Sequence, residues 1–148
     1  HDPLRRQRQM CIRDRFMPDS TPASSTQNLI FCSGKVYYDL LEAREGIRNS
    51  KSTIIRIEQF YPFNADKFKE VVKPYAKAKR IVWCQEEPYN MGAWNFLCPI
   101  LEEALGRRPH YAGRTATASP ATGSLTLHKI EQAELIADAL NQTQTIRS

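Results

Sequence analysis

No apolar run in this 148-residue chain approaches the roughly 18 residues needed to span a bilayer, and the N-terminus has no apolar segment that would make a secretory signal. Both absences point to a soluble protein. No two of the four cysteines (Cys11, Cys32, Cys84, Cys98) form a C-x-x-C pair, and only His1, His110 and His128 could add imidazole ligands, which argues against a zinc site. No nucleophile sits in an elbow motif, so no Ser-His-Asp arrangement can be drawn. The phosphate-loop pattern is also incomplete. Ser33-Gly34-Lys35 has no glycine five residues before Gly34, and Val36 stands where Ser or Thr is required.

What is present is one domain's worth of ordinary globular sequence, 41% hydrophobic and 25% charged. The net charge of +5 is concentrated at one end. Residues 1–15 hold five arginines against Asp2 and Asp14, and the remaining chain carries only a slight basic excess. A nucleic-acid surface would place its basic residues on the folded part, interleaved with aromatics. This run has no helical or strand period and reads as a disordered or non-native tail. RRQRQMCIRDR resembles foreign sequence read through at the end of a fragmentary frame. Residues 16–28, with Pro18 and Pro22 among Ser and Thr, read as a linker.

From Leu29 the pattern is regular. Leu29–Cys32, Thr53–Ile57 and Ile81–Cys84 are short apolar, β-branched or aromatic runs, and His110–Ala112 is a weaker one. Between them lie helical periods: Lys35–Ile47 with Val36, Leu40, Ala43 and Ile47 on one face, and a segment opening at Asn64, a good N-cap, with Phe68, Val71, Val72 and Tyr75 in step. Phe63 could staple against Phe68. Ala93–Leu105 is broadly apolar but contains Pro99, which must kink or divide it. Leu125–Leu140 closes the chain with Ile130, Ala133, Ala137 and Leu140 inward, and residues 142–148 form a tail. Strands that are apolar on both faces and alternate with helices predict an α/β three-layer sandwich with a mostly parallel sheet, over residues 29–141.

Candidate chemistry lies where strands end. Gly34 permits a tight turn, and an anion site using Lys35 is the alternative. Arg56 and Glu58 read as a salt bridge or a partner contact. Glu86 and Glu87, at the densest polar cluster, are sequence neighbours, so a strand points them to opposite faces and a catalytic dyad is disfavoured. They still emerge where α/β sheets place functional groups. His128, on the last helix near Glu131 and Gln132, reads as a surface or capping residue. The loop 114–123, opening at Arg114, could bind phosphate or pack between subunits. Buried Cys32 and Cys84 read as structural thiols in a reducing compartment.

Phe31–Arg44 (FCSGKVYYDLLEAR), Ile54–Phe63 (IIRIEQFYPF), Trp83–Trp94 (WCQEEPYNMGAW) and His110–Gln132 occur in this order. Together they resemble the last domain of the decarboxylase components of 2-oxoglutarate dehydrogenase complexes. The resemblance covers Leu29 to Leu140, with Thr115, Thr117 and Cys98 as modest departures. It implies a transketolase C-terminal-domain fold. It implies that the full subunit, a homodimer, decarboxylates 2-oxoglutarate on thiamine diphosphate with Mg²⁺. The succinyl group then passes to the lipoyl arm of a succinyltransferase component in the tricarboxylic acid cycle. The family's cofactor ligands and catalytic histidines lie upstream, and no catalytic, cofactor-binding or metal residue carries over to this chain. The fragment is therefore expected to hold no cofactor and to be inactive alone. Its expected role is packing against the upstream thiamine-binding domains and in the dimer, with no nucleic acid and no membrane. Lys35, Arg56, Gln59, Gln85, Glu86, Glu87, Asn90 and Arg114 are its candidate interface or effector contacts. Gln59 and Lys67 fall where some relatives bind acetyl-CoA. A regulatory module binding acetyl-CoA or AMP, and the 2-oxoadipate-specific enzyme, are the competing readings. The location implied is bacterial cytoplasm, or the mitochondrial matrix in a eukaryote. If residues 1–15 lie outside the domain, their deletion will leave the far-ultraviolet circular dichroism and the urea midpoint unchanged; a lower midpoint would place them in the fold.

Overall fold

A computed structural model describes residues 16–18, 23–47, 50–58, 64–114 and 125–141. Five strands form one sheet: β1 (Phe16–Pro18), β2 (Asn28–Cys32), β3 (Ser52–Ile57), β4 (Arg80–Pro88) and β5 (His110–Arg114). Their spatial order is β1-β3-β2-β4-β5. The last four are mutually parallel, and β1 runs antiparallel along β3. The helices are α1 (Val36–Glu45), α2 (Ala65–Val72), α3 (Trp94–Leu105) and α4 (Leu125–Ala139).

β2, β3 and β4 pair in parallel because each is buried on both sides and each return passes through a helix that covers one of them. All five residues of β2 are buried. On one face Leu29, Phe31, Ile55, Ile81 and Trp83 meet Phe68 and Val72 of α2 and Trp94, Leu97 and Leu101 of α3. On the other, Ile30, Cys32, Ile54, Val82, Cys84 and Ala112 meet Val36 and Leu40 of α1 and Leu135, Ile136 and Ala139 of α4. The architecture is the α/β three-layer sandwich that the alternation predicts. Cys32 and Cys84 are register partners on adjacent strands and both are free thiols. Among the described residues no helix is long and apolar enough to cross a membrane.

Local signals work as their chemistry requires. Asn64 caps α2, its Oδ1 accepting from the Lys67 amide at 3.0 Å. The Phe63 staple lies outside the described residues. Lys73–Tyr75 tightens into a 3₁₀ turn at Pro74. Gly106 ends α3 in the left-handed conformation, φ +75°.

Three expectations need correction. Residues 16–28, read as a linker, carry strand β1 and a 3₁₀ turn at Ala23–Ser25, and Thr26 is buried against Thr53. β1 was hidden because a three-residue edge strand has no interior to show a period, and an edge tolerates its proline. Pro99 does not divide α3, which runs unbroken from Trp94 to Leu105. Pro99 and Asn95 both lie on the exposed face, so water can reach the carbonyl that the proline leaves without a donor. The inward face of α4 is the expected one only in its second half. Ala137 and Leu140 are buried as expected, together with Leu135, Ile136 and Ala139, but Ile130 and Ala133 are exposed. The face toward the sheet runs 128, 131, 132, 135, 136, 139, polar in its first half, so a search for apolar residues alone misplaces that half.

Leu135→Ala should therefore cost about 2–5 kcal/mol by cavity formation, and Ile130→Ala no more than about 0.5 kcal/mol. Urea denaturation of the two variants checks the register; equal losses would contradict it.

Candidate functional site

The sheet has two ends of different character. At the end where strands begin, the last turn of α4 is tied down by polar groups. The Ala139 carbonyl accepts from Asn28 Nδ2 at 2.8 Å and from Arg80 at 3.3 Å. Asp138 pairs with Arg80 at 3.2 Å and with His110 Nε2 at 2.9 Å. The candidate residues described here gather at the other end.

Gln85 is the centre of that end. Its side chain is fully buried on β4. Oε1 accepts from the Trp83 indole N–H at 2.8 Å. Nε2 faces the carbonyls of Met91 at 2.8 Å, Pro88 at 3.0 Å and Glu87 at 3.1 Å. The Tyr111 hydroxyl lies 3.4 Å from the same nitrogen and donates to the Arg114 carbonyl at 2.6 Å. A buried amide must satisfy its donors and acceptor. Gln85 does so by folding the 87–91 segment around itself. The β4–β5 register shifts between Cys84 and Pro88, which lets the turn curl in. Gly92 closes it at φ +73°; a Cβ there would lie 2.9 Å from Gln85 Oε1 and 3.0 Å from Glu87 Oε2. Tyr89, Trp94 and Tyr111 pack around it with centroids 4.8–6.1 Å apart, Tyr89 and Tyr111 edge to face and the other two pairs tilted.

Glu86, on the opposite side of β4 as its position requires, joins a second network. Arg114 Nε donates to the Glu86 carbonyl at 2.9 Å. Its terminal nitrogens reach Glu131, His128 Nδ1 at 3.2 Å and Gln132 Oε1 at 3.1 Å. Gln132 Nε2 donates onward to Glu86 Oε1 at 2.8 Å and Asp39 at 3.0 Å, tying α4 to β4 and α1. His128 is thus a partner of Arg114. His128, Glu131 and Gln132 share a helical face at i, i+3, i+4, the spacing that could have exposed this.

Arg56 stands apart. It pairs with Glu58, donates to the Tyr38 hydroxyl at 3.0 Å, and lies 5.3 and 5.2 Å from the Tyr37 and Tyr38 ring centres. Burial works against its charge, but the bond to Tyr38 and the Glu58 carboxylate outweigh it and raise the pKa. Lys35 and Asn90 are exposed, and Gln59 lies outside the described residues. The seven described candidates therefore do not converge on one atom: Gln85, Glu86, Glu87 and Arg114 are joined, and Arg56 belongs to another cluster.

This arrangement orients backbone and holds side chains still. Among the described residues no group of three His, Cys, Asp or Glu side chains could hold a metal. Burial raises the Cys32 and Cys84 thiols well above their ordinary range, so neither is a ready nucleophile. Burial likewise pushes the Tyr111 phenol up to about 12, partly offset by Gln85, so it stays a donor at neutral pH.

Comparison with known proteins places the chain among relatives. The family model described as 2-oxoglutarate dehydrogenase C-terminal matches residues 6–140. The 2-oxoglutarate dehydrogenase E1 component of Haemophilus influenzae is 45% identical over 128 residues, 83% of this chain and 13% of that protein. The E1 component of Rickettsia typhi is 47% identical over 117 residues, 76% of this chain and 12% of that protein. The chain thus spans about an eighth of the length of these relatives. A solved split-gene transketolase, described as an inactive β4 tetramer, shares the fold with TM-score 0.54 and 17% identity, over 83% of this chain and 41% of that one.

Two glycine substitutions separate backbone strain from steric conflict. Gly106→Ala meets open space and should cost about 1–2 kcal/mol, the left-handed penalty alone. Gly92→Ala should cost more, because its methyl group strikes Gln85. Equal losses in urea unfolding would remove Gln85 from the centre of the turn.

Proposed function

The chain belongs to the 2-oxoglutarate dehydrogenase C-terminal family, and on that premise we propose that it serves as the assembly domain of a 2-oxoglutarate dehydrogenase E1 subunit. The full subunit would oxidatively decarboxylate 2-oxoglutarate in the tricarboxylic acid cycle, using thiamine diphosphate and Mg²⁺. It would pass the succinyl group to the lipoyl groups of a succinyltransferase component. The observation that carries this reading is identity of 45–47% to E1 components over most of the chain. The bacterial source of those relatives supports a cytoplasmic subunit.

Among the described residues no group of three His, Cys, Asp or Glu side chains could hold the cofactor's Mg²⁺. It would be held by the upstream domains. The role assigned to residues 29–141 is to pack against those domains and to support a homodimer. Gln85, Glu86, Glu87 and Arg114 contribute by fixing the shape of the strand ends; Lys35, Arg56, Gln59 and Asn90 are proposed as contacts. Nothing in the comparisons favours an effector-binding module or the 2-oxoadipate enzyme.

Thiamine-dependent release of CO₂ from 2-oxoglutarate, followed with ferricyanide as electron acceptor, tests the reading. A full-length subunit ending in this chain should turn over 2-oxoglutarate, and the 148-residue chain alone should not. Activity of the isolated chain would refute the assembly role, and an inactive full-length subunit would refute the assigned reaction.

A further inference from the structure

Single exposed apolar side chains are normal on a soluble domain, so their number says little. Their placement here says more. Among the described residues the exposed large hydrophobics are Leu125 (70%), Met91 (60%), Tyr38 (58%), Ile130 (50%), Leu127 (45%) and Tyr89 (38%). All six lie toward the end of the sheet where the parallel strands finish. Tyr38 is in the first turn of α1, just after β2. Tyr89 and Met91 are on the turn that leaves β4. Leu125, Leu127 and Ile130 are on the first half of α4, the half that carries the Arg114 partners. The opposite end carries none of them and is closed by Asn28, Arg80, His110 and Asp138.

The path of the chain adds an independent observation. β1 is antiparallel to β3, with Phe16 beside Ile57, the last residue of β3, and Pro18 beside Ile55. β1 therefore begins at this same apolar end. The relatives are about eight times longer than the part this chain matches, and the family is a C-terminal one, so most of a subunit precedes the domain.

We propose that the end of the sheet carrying Tyr38, Tyr89, Met91, Leu125 and Ile130 is the docking face for the polypeptide that precedes Phe16 in the full-length subunit. This rests on the reading above that the chain is the C-terminal domain of such a subunit, and names the surface it uses. The turn folded on Gln85 presents Tyr89 and Met91 on a fixed backbone. The Arg114 network holds the first half of α4 against β4 and β5. Both present their apolar side chains already ordered, which lowers the entropy lost on docking.

Hydroxyl-radical footprinting of the intact full-length subunit tests the face, with each peptide normalised to the same peptide unfolded in urea. Loss of labelling at Tyr38, Met91, Leu125 and Ile130, unchanged when the subunit is diluted to monomer, is the expected result. Labelling as strong as that of the exposed residues at the opposite end would overturn the proposal. Protection that disappears on dilution would also overturn it, by assigning the face to a second copy. Turnover of 2-oxoglutarate on the same sample keeps the two readings apart: an active subunit with a freely labelled face sinks only the docking face, and an inactive one with a protected face sinks only the assigned reaction.

Discussion

A glutamine amide sealed inside an apolar layer is costly unless every polar atom finds a partner; an unsatisfied buried group costs about 1–3 kcal/mol. Gln85 meets that demand by gathering the Trp83 indole, the carbonyls of Glu87, Pro88 and Met91 and the Tyr111 hydroxyl around itself. Much else at this end follows. The 87–91 segment curls inward, the β4–β5 pairing slips, and position 92 is left with no room for a Cβ. Tyr89, Trp94 and Tyr111 then close over the turn as an aromatic lid. The segment Trp83–Trp94 is thus a device for shaping backbone.

The two ends of the sheet solve the same problem in different ways. A parallel sheet covered by helices still exposes the ends of its strands, and their polar groups need partners. Where the strands begin, Asn28, Arg80 and His110 bind the last turn of α4 directly, and the surface is polar. Where they finish, Gln85 and Arg114 satisfy the backbone from within, which leaves apolar side chains free to face outward. An end built in this way suits contact with another folded body. Three of its carboxylates, those of Glu131, Glu86 and Glu58, are held by Arg114, Gln132 and Arg56.

Much of this was legible beforehand, for identifiable reasons. Strands β2, β3 and β4 announced themselves because burial on both faces requires unbroken apolar runs. Asn64 marked a helix start because capping demands that residue type. What escaped was set by contacts distant in sequence. The extension of β4 to Pro88 runs through Glu86 and Glu87, polar residues that no strand pattern favours but that a buried Gln85 and Arg114 make possible. The face of α4 was misread because half of it meets Arg114 and half meets the core. At the strand ends, the opposed directions of Glu86 and Glu87 were visible from alternation, whereas the roles of His128, Gln132 and Asp39 depend on α1, β4 and α4 meeting in space.

The central claim is that the polar residues at the strand ends are architecture, with Gln85 at their centre. A double-mutant cycle on Trp83→Phe and Gln85→Leu, measured by urea unfolding, addresses it most directly. Trp83 N–H would be orphaned by loss of Gln85, and losing both partners together would relieve that penalty. The account predicts a coupling energy of about 1 kcal/mol or more. Losses that add to within about 0.3 kcal/mol would contradict it.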